Sequence, residues 1–122
     1  MVDKKHLKEI YKNMVPPMGV FSLRNNQTGR VFLGSSLNLK NKYERIKIML
    51  GMGNHYNSEL QKDWNDYGEE SFTFEILETL EVKDDKSYNY SEDLEILELL
   101  WIDKFRPFPE KCYNKNEKIR MV

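Results

Sequence analysis

The sequence has almost no cysteine, no long apolar run and no excess of either charge. Its one cysteine, Cys112, cannot staple the chain to itself. That excludes a disulfide-framed scaffold and fits a reducing, cytoplasmic setting. No apolar run approaches the roughly 18 residues that a membrane span needs, so no membrane partner is expected. The N-terminal Met1-Val2-Asp3-Lys4-Lys5-His6 has no apolar segment behind it that could act as a signal peptide. The formal net charge of −1 gives no global pull toward nucleic acid, so any such contact must come from local patches. There is no internal repeat.

What is present suits one globular domain. A chain of 122 residues can bury about two-thirds of its unfolded surface. The organising stretch runs from Met18 to Ser36. Two runs, Gly19-Val20-Phe21-Ser22-Leu23 and Val31-Phe32-Leu33, carry β-branched and aromatic residues. Between them, Asn25-Asn26-Gln27-Thr28-Gly29 supplies residues that tolerate a chain reversal, which predicts a β-hairpin. Residues 72–78 alternate Phe72, Phe74 and Ile76 against Thr73, Glu75 and Leu77. That predicts a third strand with one buried face, pairing with the hairpin.

Helical spacing fills most of the rest. Residues 3–13 read as a short helix capped by Asp3, with Leu7, Ile10 and Tyr11 on one stripe. Pro16-Pro17 stops it. A second helix, capped by Ser35 or Asn38, reaches about Gly51 with Leu39, Tyr43, Ile46, Met49 and Leu50 as its apolar stripe. A third starts near Asn57 or Ser58, where Ser58 and Gln61 have capping-box spacing, and ends at Gly68. Residues 79–90 read as an acidic, polar loop. The last helix starts near Ser91, with Leu94, Leu97, Trp101 and Phe105 as its stripe, and Pro107 and Pro109 end it. Tyr113 and Ile119 are the anchors expected in the tail. The fold class is therefore α+β: a three-stranded antiparallel sheet flanked by helices, in the order β-β-α-α-β-α after an N-terminal helix. The divisions are 1–17 for that helix and its proline linker, 18–114 for the domain, and 115–122 for the tail.

Several residues could carry chemistry, and each has a plainer reading. Glu98 lies inside the most apolar helix. It either shares a polar side with Glu92 and Glu95, or projects into a cleft as an oxygen ligand for a hard cation. Lys40, Lys42, Arg45 and Lys47 make one helix basic, either to grip phosphate or as a solvated face. Lys4, Lys5, Lys8 and Lys12 pose the same choice. His55 is either a proton-transfer group or a loop histidine without a role. Asp84-Asp85 could hold a cation but reads better as solvated charge. Cys112 reads as a half-buried small residue.

One pattern ties these together. Gly19-Val20-Phe21, followed by Phe32-Leu33-Gly34-Ser35-Ser36, resembles the paired signature of the GIY-YIG nuclease superfamily, with phenylalanine in place of both signature tyrosines. Leu60-Gln61, Trp64-Asn65, Tyr67-Gly68 and the strand from Phe72 to Glu78 continue the likeness, and Tyr113-Asn114 resembles the closing Tyr-Asn. The resemblance covers about residues 18–114. It implies that Glu98, in Glu98-Leu99-Leu100-Trp101-Ile102, binds one Mg²⁺ or Mn²⁺ ion. It implies a phosphate-binding arginine on the helix after the second signature. Ungapped counting lands on Lys42, while the planar fork of Arg45, one turn later, suits the role better. His55 takes the position of the family's histidine, with a general-base role, and Asn114 that of the supporting asparagine. Phe21 and Phe32 stand where the family's hydroxyls activate and position the attacking water, and neither can move a proton.

The resemblance therefore implies a divalent-metal-dependent endonuclease or phosphodiesterase acting on nucleic acid, DNA rather than RNA. Two other readings stand beside it. One is a catalytically silent relative that binds nucleic acid through Lys40, Lys42, Arg45 and Lys47. The other is a protein-interaction module, which the near-neutral charge suits. The first reading requires that Phe21, Phe32, Arg45, His55, Glu98 and Asn114 converge on one shallow depression over the sheet.

Overall fold

The computed structural model describes residues 4–7, 15–85 and 87–114. Two strands, β1 (Gly19–Asn25) and β2 (Val31–Ser36), form the expected hairpin. Helices α1 (Leu39–Gly51) and α2 (Ser58–Tyr67) follow, then β3 (Phe72–Thr79) and α3 (Ser91–Asp103). The sheet is antiparallel in the order β2-β1-β3, so the first strand lies in the middle. Residues 4–7 are helical and Leu7 is exposed. The rest of the expected N-terminal helix and the tail anchor Ile119 lie outside the described residues.

The sequence of β1 explains its place. Six of its seven residues are buried, because both faces of the sheet are covered. On one face, Phe21, Leu23, Phe32 and Phe72 pack against Leu39, Ile46 and Leu50 of α1 and Leu60 and Trp64 of α2. On the other, Val31 and Leu33 meet Ile102 of α3, with Leu77, Trp101 and Phe105 at the margin. Phe21 stacks on Phe74 at 5.1 Å, and Phe74 on Tyr43 at 4.7 Å. Offset stacks of this kind add to the apolar burial of the rings.

Three local expectations shift. The alternation of β3 breaks at Leu77. Val20 pairs with Glu78 and Phe21 with Ile76, which leaves Leu77 as an extra residue in a bulge. Leu77 thereby packs with the α3 side, while Ile76 is 47% exposed. Second, the cap of α2 is Asn57, whose Oδ1 accepts from the Leu60 N–H. Gln61 forms no box with Ser58; its Oε1 accepts from the His55 N–H and its Nε2 donates to the Leu50 carbonyl. Third, the buried row of α3 is Leu94, Glu98 and Ile102, with Leu97, Trp101 and Phe105 only half-buried beside it. The i, i+4 row rather than the near-heptad row meets the sheet.

The end of the described chain returns to the sheet. Cys112 bridges to Val31 in parallel, and the Tyr113 N–H donates to the Val31 carbonyl at 2.8 Å. Asn114 grips Leu33 twice, accepting its N–H and donating to its carbonyl, both at 2.8 Å. Tyr113 is fully buried. Its hydroxyl donates to Asp63 at 2.6 Å and accepts from Asn25, and burial and Asp63 together push its pKa up to about 12. Asn57 Nδ2 donates to the Tyr113 carbonyl, joining this segment to the start of α2.

Gly34 is required by close approach. A Cβ there would sit 2.6 Å from Cζ of Phe21. Gly34→Ala must displace a ring that is itself fully buried. The expected cost is about 1–3 kcal/mol of overpacking, read as a lower urea midpoint with an unchanged slope.

Candidate active site

A cleft of about 150 Å³ lies beside β2, where α1, the loop before α2 and α3 approach one another. β1 and β2 contribute Phe21, Phe32, Gly34 and Ser35. Helix α1 contributes Lys42, Ile46 and Met49. The loop supplies His55 and Tyr56, and α3 supplies Glu98. The Phe32 ring is the hub. It lies 6.3 Å from Phe21, 5.1 Å edge-on to His55 and 6.0 Å edge-on to Tyr56, between ring centres.

Glu98 is turned away from the polar side of its helix. It is 6% exposed, between Leu94 and Ile102 on the face of α3 that meets the sheet. It does not share the solvent side with Glu92 and Glu95. A charged group in such a place must be hydrogen-bonded or matched by opposite charge. Ser35 donates its hydroxyl proton to Glu98 Oε1 at 3.0 Å. Among the described residues, no three or more His, Cys, Asp or Glu side chains are grouped so that together they could hold a metal ion. Glu98 is thus the one acidic donor in the cleft. A single fixed carboxylate fits Mg²⁺ or Mn²⁺, whose other positions water and phosphate oxygens can fill, and does not fit a soft metal.

The cation of the cleft is Lys42, half-buried on α1. Arg45 is exposed one turn on and does not line the cleft, contrary to the preference for its guanidinium. The roll of α1 decides this. Leu39, Ile46 and Leu50 face the core, which turns Lys42 toward β2 and Arg45 outward. Lys40 is also exposed. Lys47 pairs with Glu44 at 3.0 Å and lies over the Tyr43 ring, so its charge is partly neutralised. Asn114 sits behind the cleft and fixes Leu33 between Phe32 and Gly34, which makes it a positioning residue. Of the six residues expected to converge, Phe21, Phe32, His55 and Glu98 line the cleft, Asn114 supports it, and Lys42 stands in place of Arg45. Cys112 is buried and its thiol pKa is pushed up by burial, which leaves it inert. Asp85 accepts from the backbone and hydroxyl of Ser87, a local turn.

His55 is 8% exposed and tightly held. Its Nδ1 accepts the Asn57 N–H at 3.0 Å. A backbone N–H can only donate, so the neutral ring carries its hydrogen on Nε2. In this arrangement the neutral His55 ring presents Nε2–H as a hydrogen-bond donor. Burial and the nearby Lys42 ammonium hold its pKa below 6.5.

Tyr56 is the residue that sequence reasoning missed. Its ring stacks on His55 at 4.7 Å and 21°. The residue is 72% exposed as a whole, but its hydroxyl end is desolvated and feels Glu98, and both effects raise its pKa. No periodicity marks it; only its place directly after His55 in a short loop could have drawn notice.

The His55 geometry has a consequence for stability. The unfolded chain takes up a proton near 6.5, while the folded ring resists it to lower pH. Acidification below about 6.5 therefore favours unfolding, and above that value the group contributes nothing. Thermal melts should show wild type losing more stability than His55→Gln between pH 7 and pH 5. The difference between the two should stay flat from pH 7 to pH 8.

Comparison with solved structures places this architecture. The chain is similar to the catalytic domain of intron endonuclease I-TevI in a point-mutant form, with a TM-score of 0.67, 23% identity, and 80% of this chain and 92% of that one covered. It is also similar to a structure of the catalytic domain of homing endonuclease I-TevI, with a TM-score of 0.64, 25% identity, and 80% and 96% covered. No family model and no curated protein matches the sequence. The sheet order and the helix placement give this chain the GIY-YIG-like α+β fold.

Proposed function

We propose that the chain is a nuclease that hydrolyses phosphodiester bonds in nucleic acid, DNA in preference to RNA, with one Mg²⁺ or Mn²⁺ held at Glu98. The observation that carries this reading is the burial of Glu98 at the same cleft as Lys42 and His55. A carboxylate held at one place on a packed helix is pre-set to serve as an oxygen ligand for a hard cation. A nearby ammonium and an N–H donor are what a phosphodiester needs. Both structural neighbours are endonuclease catalytic domains, which supports the same class.

Each residue has a role in that reading. Lys42 binds a non-bridging phosphate oxygen and offsets charge that grows in the transition state. His55 donates Nε2–H to a second phosphate oxygen, held in place by the Asn57 N–H at its other nitrogen. Ser35 orients the Glu98 carboxylate. When bound, the divalent ion would polarise the phosphate and stabilise the leaving oxygen. Phe21 and Phe32 form an apolar wall of the cleft. Lys40 and Arg45, exposed on α1, suit contacts to flanking phosphates. Because both signature hydroxyls are gone, a silent nucleic-acid binder that uses the same lysines and Arg45 is the second reading. A protein-interaction module would use neither Lys42 nor Glu98.

Cleavage of plasmid and single-stranded DNA, and of RNA, with Mg²⁺ or Mn²⁺ tests these readings. Wild type is expected to cut DNA, and Glu98→Ala to lose at least about 10³-fold while still binding. Lys42→Ala should lose about 10²-fold in kcat. Arg45→Ala should chiefly weaken binding and flatten its salt dependence. Salt-sensitive binding without cleavage would give the second reading, and neither binding nor cleavage the third.

A further inference from the structure

The cleft lacks an obvious partner for an attacking water. Lys42 has donors only. His55 has spent its one acceptor nitrogen on the Asn57 N–H. Phe21 and Phe32 have no polar atom. Three side chains that line the cleft carry oxygen: Glu98, Ser35 and Tyr56. In the proposed reading Glu98 serves the cation, and Ser35, which gives its own proton to Glu98, can accept from a water but has no proton left to offer.

We infer that the Tyr56 hydroxyl accepts a hydrogen bond from the attacking water and aims it at the phosphorus, doing from the loop before α2 what Phe21 and Phe32 cannot do from the hairpin. The geometry supports this placement. The Tyr56 ring is stacked on His55, whose ring is buried and fixed at Nδ1 and at its backbone N–H. It also lies edge-on to Phe32. Two ring contacts therefore restrain a side chain that would otherwise swing in solvent. A phenol oxygen can accept and donate at once, as orienting a water requires. The bond formed joins the water oxygen to phosphorus. The bond broken joins phosphorus to the departing sugar oxygen, which takes up, through solvent at the open mouth of the cleft, the proton that the water gives up. Tyr56 itself ends the step unchanged.

The inference rests on the nuclease reading, and the experiment separates the two. Wild type, Tyr56→Phe, Tyr56→Leu, Glu98→Ala and the double variant Tyr56→Phe with Phe32→Tyr are assayed on plasmid DNA with Mg²⁺, with kcat and KM resolved and folding checked by thermal melting. Tyr56→Phe keeps the ring and removes only the oxygen. It should lower kcat at least tenfold, with KM and Tm unchanged, and Tyr56→Leu should lower it no less. The double variant, with a hydroxyl on the adjacent ring, should regain part of the loss. Glu98-dependent cleavage with Tyr56→Phe within threefold of wild type overturns the inference and leaves the nuclease reading intact. So does a loss confined to KM, or one shared only by Tyr56→Leu, since either makes Tyr56 a stacking surface for a base. Absence of any Glu98-dependent cleavage overturns both.

Discussion

Putting a carboxylate where the packing pattern asks for a leucine is the constraint on which the rest of this structure turns. Glu98 occupies the middle of the row Leu94, Glu98, Ile102, with apolar neighbours one turn above and one below. Removing a charge from water costs several kcal/mol unless something compensates. The Ser35 hydroxyl supplies part of that, and it can do so because β2 ends beside α3. The strand, the helix and the space between them are therefore arranged around one side chain. The hydrophobic clusters on either side of the sheet hold that arrangement, and Glu98 itself contributes no apolar burial to it.

A second knot lies at Asn57. Its carboxamide oxygen caps α2, its nitrogen binds the Tyr113 carbonyl, and its backbone N–H fixes the His55 ring. Three separate parts of the chain meet on one residue. Gln61 extends the knot to the end of α1 through His55 and Leu50. These hydrogen bonds are buried or half-buried, where leaving one partner unsatisfied is costly. The histidine's orientation is thus a property of the fold around it, not of its own side chain.

Much of this was legible in the sequence, for physical reasons. Period-two runs around Asn25–Gly29 announce the hairpin, and period-3.6 rows announce α1, α2 and α3. Asn38 and Asn57 appear where first-turn N–H groups need an acceptor, and Gly68 where the chain turns at φ +87°. What stayed hidden depends on how elements roll against each other. Lys42 and Arg45 are neighbours on one helix, and only the seating of Leu39, Ile46 and Leu50 decides which one meets the cleft. Glu98 sits one residue from the row that the spacing suggests, so burial and exposure were equally open. Leu77 joins the α3 side through a bulge that no alternation pattern contains. Tyr56 gains its place from rings that are 24 and one residues away along the chain, Phe32 and His55, and a loop residue carries no period to read.

The return of Cys112, Tyr113 and Asn114 to β2 bears on how the molecule comes into being. The hairpin is made early, yet Leu33 gains the Asn114 clasp, and the interior gains the Tyr113 ring, from residues some eighty positions downstream. Emerging polypeptide can pair β1 with β2 long before that. Glu98 and the closing clasp both lie downstream of the whole hairpin, so a chain made only as far as β3 holds no finished cleft.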